Sequence, residues 1–204
     1  MMLARVSNIE AYRRWMNWKP LFDGQEEPTV DDLVRQITTD APSEAMMAGT
    51  AFHAAIETAA DGDHETFEAM GYRFILPDAE IALPAIRELR GFKRYGALTV
   101  TGKVDCLEGK VVIDHKTTSR TDFEKFLDGY QWRFYLDIFE AEVFRWHIFE
   151  IKESSEKVYE VRAPQTLEAR RYPDLHEDCA RLADNYREFA NRVGLPDSPE
   201  ALGG

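Results

Sequence analysis

Cysteine is nearly absent from this chain. Of 204 residues only Cys106 and Cys179 carry a thiol. Two thiols cannot build a four-thiolate zinc site or an iron–sulfur cluster, so neither is expected, and a reduced compartment suits the pair. Long apolar runs are missing too, which leaves no stretch that would cross a membrane as a helix. The opening Met1-Met2-Leu3-Ala4-Arg5 lacks the apolar centre of a signal peptide, so a cytoplasmic protein with no membrane partner is expected. No internal repeat or low-complexity tract stands out. Positive charge is scarce overall: 25 Lys and Arg face 37 Asp and Glu, a net charge of -12. That total argues against a polyanionic partner, but phosphate is bound by local patches and not by chain totals.

What is present begins with one such patch. Residues 87–103 hold Arg87, Arg90, Lys93, Arg94 and Lys103 against only Glu88. Alone, this reads as a solvated face; beside a metal site it becomes a candidate DNA contact. Length and a 44% hydrophobic content fit one domain over 1–194, with a loose tail over 195–204.

Ser7 with Glu10 reads as a capping box opening a first helix that contains Ile9, Tyr12 and Trp15. A proline- and glycine-bearing loop over 18–30 precedes a short helix at 30–37. Ser43 opens the next helix, which should end near Asp61-Gly62-Asp63. Extended segments are expected at 72–76 and 79–86, then a hairpin over about 97–117. A helix follows from Thr121-Asp122 to about Glu140. A strand at 142–151 pairs with 158–162, and a long helix at about 167–192 is capped by Thr166 and ends at Gly194. The pattern makes an α/β fold, a mixed central β-sheet flanked by α-helices.

Three constellations could carry chemistry. In the hairpin, Asp105 can approach Asp114 and Lys116, which share a strand face while His115 points away. Two carboxylates suit a hard cation such as Mg²⁺ or Mn²⁺, and an ammonium beside them can neutralise charge developing on a phosphate. Alone, D-x-K is a common string, and a surface Asp–Lys pair is the competing reading. On the helix before it, His53 and Glu57 stand i,i+4: a third ligand with a carboxylate to orient it, or a plain surface pair. Gln131 and Tyr135 repeat that spacing, with Trp132 and Arg133 on other faces that could reach nucleic acid.

In this order, Gly49/His53, Gly102/Asp105, Asp114/Lys116/Thr117 and Gln131/Tyr135 resemble the G-x-x-x-H, G-x-x-D, D/E-x-K-T and Q-x-x-x-Y motifs of RecB-type PD-(D/E)XK nucleases. Ser7-x-Ile9-x-x-Tyr12 is similar to that family's N-terminal segment, so the resemblance spans residues 7–135. It implies a restriction-endonuclease-like PD-(D/E)XK core. It implies a divalent metal held by His53, Asp105, Asp114 and the His115 main-chain carbonyl, with Glu57 and Thr117 behind them. It makes Lys116 the catalytic lysine, with Gln131 and Tyr135 shaping the site, and assigns DNA contacts to Arg87, Arg90, Lys93, Arg94, Lys103 and Arg133. The implied reaction is phosphodiester hydrolysis by a stand-alone, phage-like exonuclease acting at DNA ends, duplex or single-stranded, in a bacterial cell or phage-infected host. A single-strand annealing protein or a helicase is the partner that such an enzyme would have. A structure-selective endonuclease and a non-catalytic DNA-end-binding module are the alternatives. The chain departs from cluster-bearing relatives in lacking their four cysteines: Trp15 stands about where the first often falls.

Overall fold

A computed structural model describes residues 2–20, 22–39, 43–58, 66–76 and 86–197, with only the backbone of Glu57, Thr58, Ile86 and Arg87. The fold is mixed α/β, a central sheet flanked by helices. Strand β1 (Met2–Arg5) leads into α1 (Val6–Met16), α2 (Val30–Thr38) and α3 (Glu44–Thr58). Strands β2 (Thr66–Ala69), β3 (Tyr72–Ile75), β4 (Ile86–Tyr95), β5 (Leu98–Glu108) and β6 (Val111–Thr118) follow. Then come α4 (Phe123–Asp128), α5 (Gln131–Ile138), β7 (Val143–Ser155), β8 (Val158–Val161), β9 (Gln165–Arg170) and α6 (Leu175–Val193).

The sheet runs β1-β5-β6-β7-β8-β3-β2, with β4 also on β5 and β9 also on β7. The β5–β6 hairpin is antiparallel and β6–β7 is parallel, so the sheet is mixed. Side chains alternate faces along each strand. Phe144, Trp146 and Ile148 of β7 therefore join a core built with α1, α2, α5 and α6, while Phe149 joins a second core with Ala48, Ala51 and Phe52 of α3. No helix among the described residues is long and apolar enough to cross a membrane.

Several expectations are corrected. Helix α1 begins at Val6 with Arg5 in the N-cap position and no side-chain cap, so the Ser7–Glu10 capping box does not form. Glu10 is instead used over a long range: it accepts from Tyr130 N at 2.8 Å and pairs with Arg13. That contact helps explain a second correction. The helix expected from 121 to 140 breaks at Gly129, whose backbone is extended (ψ 154), into α4 and α5. Arg133 ties the break by donating to the carbonyls of Asp128 and Gly129. Thr166 caps nothing. Residues 165–170 form an edge strand on β7, with Leu167 and Ala169 packed inward, and the helix waits until after Pro173, which its interior would not tolerate. Strands β1, β2 and most of β4 were not anticipated. The expected end of α3 near residues 61–63, and most of the strand expected at 79–86, fall outside the described residues. The tail is tethered at its start: Leu195 is buried and Asp197 Oδ1 accepts from Leu3 N at 3.1 Å.

Candidate active site

The site forms where β5 and β6 part. Their ladder ends at Cys106↔Ile113, one rung before Asp105 and Asp114. In place of the next rung, Asp105 Oδ2 accepts the backbone N–H of His115 at 2.8 Å. A strand residue's N–H and C=O point to the same side, so the His115 carbonyl also faces this gap. Asp114 and Lys116 share the neighbouring face, where the Lys116 ammonium donates to Asp114 Oδ1 at 3.0 Å. The opposite wall is α3: His53 Nδ1 lies 3.4 Å from Asp105 Oδ2. Asp105, Asp114, Lys116 and His53 are thus brought together, as the motif order implied.

Glycines set the approach of the helices. A Cβ on Gly49 would come within 3.1 Å of Thr117 Oγ1, so the glycine of the helix motif seats α3 against the threonine of the strand motif. A Cβ on Gly102 would lie 2.5 Å from Tyr135 Cε1 and 3.2 Å from Val6. Tyr135 is buried there and accepts at its hydroxyl from Gln131 Nε2 at 3.3 Å. Gly102→Ala is therefore expected to displace the Tyr135 ring and cost about 1–3 kcal/mol, an overpacking penalty. Thermal melting checks this, and an unchanged melting temperature would show that the ring has room to yield.

The electrostatics are those of a crowded, half-dry cluster. Asp114 is 2% exposed. Burial, with repulsion from Asp105, pushes its carboxyl above the ordinary range despite Lys116. Burial acts the same way on Asp105, but contact with His53, the charge of Lys116 and the His115 N–H outweigh it, and the net shift is downward. For Lys116 burial opposes the charge, and the two carboxylates overcome it and raise the pKa. Burial also opposes a charge on His53, where Asp105 prevails and the shift is upward. His115, buried on the other face beside Phe149 and His147, is pushed down to about 4 by burial. Tyr135 is pushed up to about 12, chiefly by burial, and stays a neutral phenol.

One atom tests whether a cation fits. Asp114 Oδ2 is buried and makes no hydrogen bond; Lys116 Nζ lies 2.9 Å from it, but off the hydrogen-bonding direction. A buried carboxylate oxygen left so, beside a second carboxylate and an imidazole, is a donor set suited to Mg²⁺ or Mn²⁺. Among the described residues no three His, Cys, Asp or Glu side chains converge into a closed cage, so water and substrate would supply the remaining positions. The side chain of Glu57 lies outside the described residues.

The basic residues divide. Lys93 is drawn inward: its ammonium lies 3.0 Å from Oδ1 of the fully buried Asp137 and donates to the Asp137 carbonyl. Arg133 is occupied at the α4–α5 break and lies over the rings of Tyr130 and Trp132. Arg94 donates to the Gly96 carbonyl at 2.8 Å, and Lys103 pairs with Glu88. Arg90 and Lys103 sit opposite one another on β4 and β5. The side chain of Arg87 lies outside the described residues. A groove of about 730 Å³ leads to His53 between Met46, Gly49 and Ala54 of α3 and the Glu88–Lys103 pair. Glu88 was not singled out from sequence. Its φ of +55, uncommon for a residue with a Cβ, is a backbone property that no residue pattern signals.

No family model matches the chain, and no curated protein matches it. Among solved structures, the fold is similar to that of a provisionally named exonuclease from Eubacterium rectale. The identity is 13% and the TM-score 0.52, over 98% of this chain and 85% of that one. It is also similar to the protein SSO0001, at 14% identity and a TM-score of 0.49, over 94% of this chain and 77% of that one. At such identities the likeness is one of fold.

Proposed function

We propose that the chain is a divalent-metal-dependent DNA exonuclease of the RecB-type PD-(D/E)XK kind. The observation that carries this reading is the meeting of Asp105, Asp114, Lys116 and His53 where β5 and β6 part, with a buried Asp114 oxygen lacking a hydrogen bond. The name carried by the Eubacterium rectale protein points the same way.

In this reading Asp105, Asp114 and His53 hold Mg²⁺ or Mn²⁺, with the His115 carbonyl available in the same gap. The ion supplies Lewis-acid activation of water and of the scissile phosphate. The residues do the rest. Lys116, held charged by the two carboxylates, donates to oxygen on the phosphate and offsets its developing charge. His115 N–H fixes the rotamer of Asp105. Gln131 and Tyr135 offer neutral hydrogen-bonding groups on the α5 side. Arg90 and Lys103, on adjacent strands, are the described cations best placed to meet the nucleic-acid backbone. DNA ends are the proposed substrate, in phage or bacterial recombination, replication or repair, alongside an annealing protein or a helicase.

The test is degradation of end-labelled linear duplex, linear single strand and closed circular DNA with Mg²⁺, Mn²⁺ or EDTA. Metal-dependent loss of linear DNA alone is expected. Cutting of circles would make the protein an endonuclease. Binding without cleavage under every metal would make it an end-binding module.

A further inference from the structure

We infer that a second, smaller site on this chain binds a non-scissile phosphate group of the substrate, in a notch between the start of α1 and the β1-β5-β4 edge of the sheet. The inference rests on the nuclease reading for the identity of the ligand; the notch itself is read from different residues.

The notch measures about 180 Å³ and is lined by Arg5, Ser7, Arg90, Thr101, Lys103 and Tyr135, together with Val6 and Gly102. A water's share of the liquid is about 30 Å³, so the space holds one phosphate group with its nearest waters. Three of the lining residues are cations and none is a carboxylate.

Strand register puts those cations there. Arg90 stands directly opposite Lys103 in the β4–β5 ladder, and Arg5 stands opposite Thr101 in the β1–β5 ladder. Like charges directly opposite one another across a ladder destabilise a sheet. Here Lys103 also pairs with Glu88, which does not line the notch. Three cations kept on adjacent strands around one cavity suit an anion that offsets their repulsion.

The helix adds to this. Its first turn has no acidic residue, and no side chain caps its N-terminus. Ser7, whose residue type and spacing suit a cap, sits instead in that first turn, exposed, on the wall of the notch. Uncapped N–H groups at a helix start favour an anion, and a hydroxyl beside them can donate to it. Thr101 contributes shape only, since its hydroxyl donates to the Gly91 carbonyl at 3.0 Å. Tyr135 joins the notch to the catalytic cluster. The residue that forms part of this wall is the motif tyrosine packed on Gly102, so a phosphate here would lie beside the strand being cut.

The ligand chemistry is a phosphate oxyanion, from either a terminal phosphomonoester or an internal phosphodiester. The experiment measures binding of short single-stranded oligonucleotides to the full chain in EDTA. The oligonucleotides bear a 5′-phosphate, a 3′-phosphate or neither. Ser7→Asp and Arg90→Gln are each expected to weaken binding by about tenfold, the loss of one charge-assisted contact. For Arg90→Gln the salt dependence should also fall by about one counterion. Ser7→Asp should melt no lower than wild type, because an acid in the first helical turn is favourable, so its weakened binding cannot be laid to unfolding. A wild-type preference for one phosphorylated end, lost in the variants, would assign a terminal phosphate. Equal affinity for all three oligonucleotides, reduced in the variants, would assign an internal one; either result supports the site. Wild-type affinity and salt dependence in both variants would overturn it. Binding in EDTA involves no turnover. If the nuclease reading alone were wrong, cleavage would be absent while the dependence on Ser7 and Arg90 remained.

Discussion

Asp114→Ala is expected to lower metal-dependent DNA hydrolysis by about a thousandfold or more, while leaving the metal-free protein at least as stable as wild type. The first half follows from position. Asp114 supplies a proposed metal ligand and is the direct partner of Lys116. Removing it weakens the hold on the ion and frees the ammonium to swing away, and electrostatic groups of this kind are each worth roughly a hundred- to a thousandfold in rate. The second half follows from burial. The carboxylate is 2% exposed, and its pKa is raised because the folded chain disfavours its charge. A raised carboxyl pKa means that the metal-free protein is penalised above that range and gains stability as pH falls through it. The variant has no such charge to bury, and Lys116, whose side chain keeps 29% exposure, can turn to solvent. Rates with Mg²⁺ and Mn²⁺, set beside melting in EDTA across pH, check both halves. Wild-type activity in Asp114→Ala would remove this residue from the site. A large drop in metal-free stability would mean that the carboxylate is there to hold the fold.

Asp137→Asn carries the opposite expectation, a large loss of stability at a position away from the proposed chemistry. Asp137 is 0% exposed. Its Oδ2 accepts from Tyr95 at 2.8 Å and meets His176 Nδ1 at 2.8 Å; its Oδ1 meets Arg171 at 2.9 Å and Lys93 at 3.0 Å. Burial alone would raise this carboxyl. The contacts of His176, Tyr95 and Lys93 outweigh it and hold the pKa at about 2. An amide cannot replace it, because its NH₂ would face donors. Breaking a buried ion network costs about 3–5 kcal/mol, which for a chain of this size lowers the melting temperature by roughly 10 °C. The sign of the pH effect is fixed. A carboxyl whose folded pKa is depressed contributes fully above its unfolded value near 4 and loses that contribution as pH falls toward 2. Wild type should therefore weaken between about pH 4 and 2, and the variant should lack that step. Matching acid melts for the two proteins would overturn the assignment.

These two aspartates show what could be read from the residue string. Asp114 was legible because its neighbours are periodic: a β-branched run before it, a lysine two residues on, and a glycine–aspartate strand upstream. Short-range patterns report local conformation, and a hairpin of about ten residues per strand is local. Asp137 left no such trace, since its four partners come from β4, from the segment after β9 and from α6, up to 44 residues away. The same distance effect explains Glu10, which looked like a capping residue and instead anchors Tyr130. Lys93, one charge in a basic run by sequence, is turned inward by Asp137. Strand β9 was mistaken for the start of a helix because Leu167 and Ala169 are too few to reveal a period of two, while Pro173 marked the true boundary.

The thirteen residues of β7 give the molecule a single spine. Its first half lies between β6 and β9 and its second half pairs with β8, while neighbours Ile148 and Phe149 enter different cores. Neither core can come apart without disturbing the strand that lines the other. The chain is thereby denied an easy intermediate with one half intact, and the wall carrying His53 is tied in cooperativity to the wall carrying Asp114.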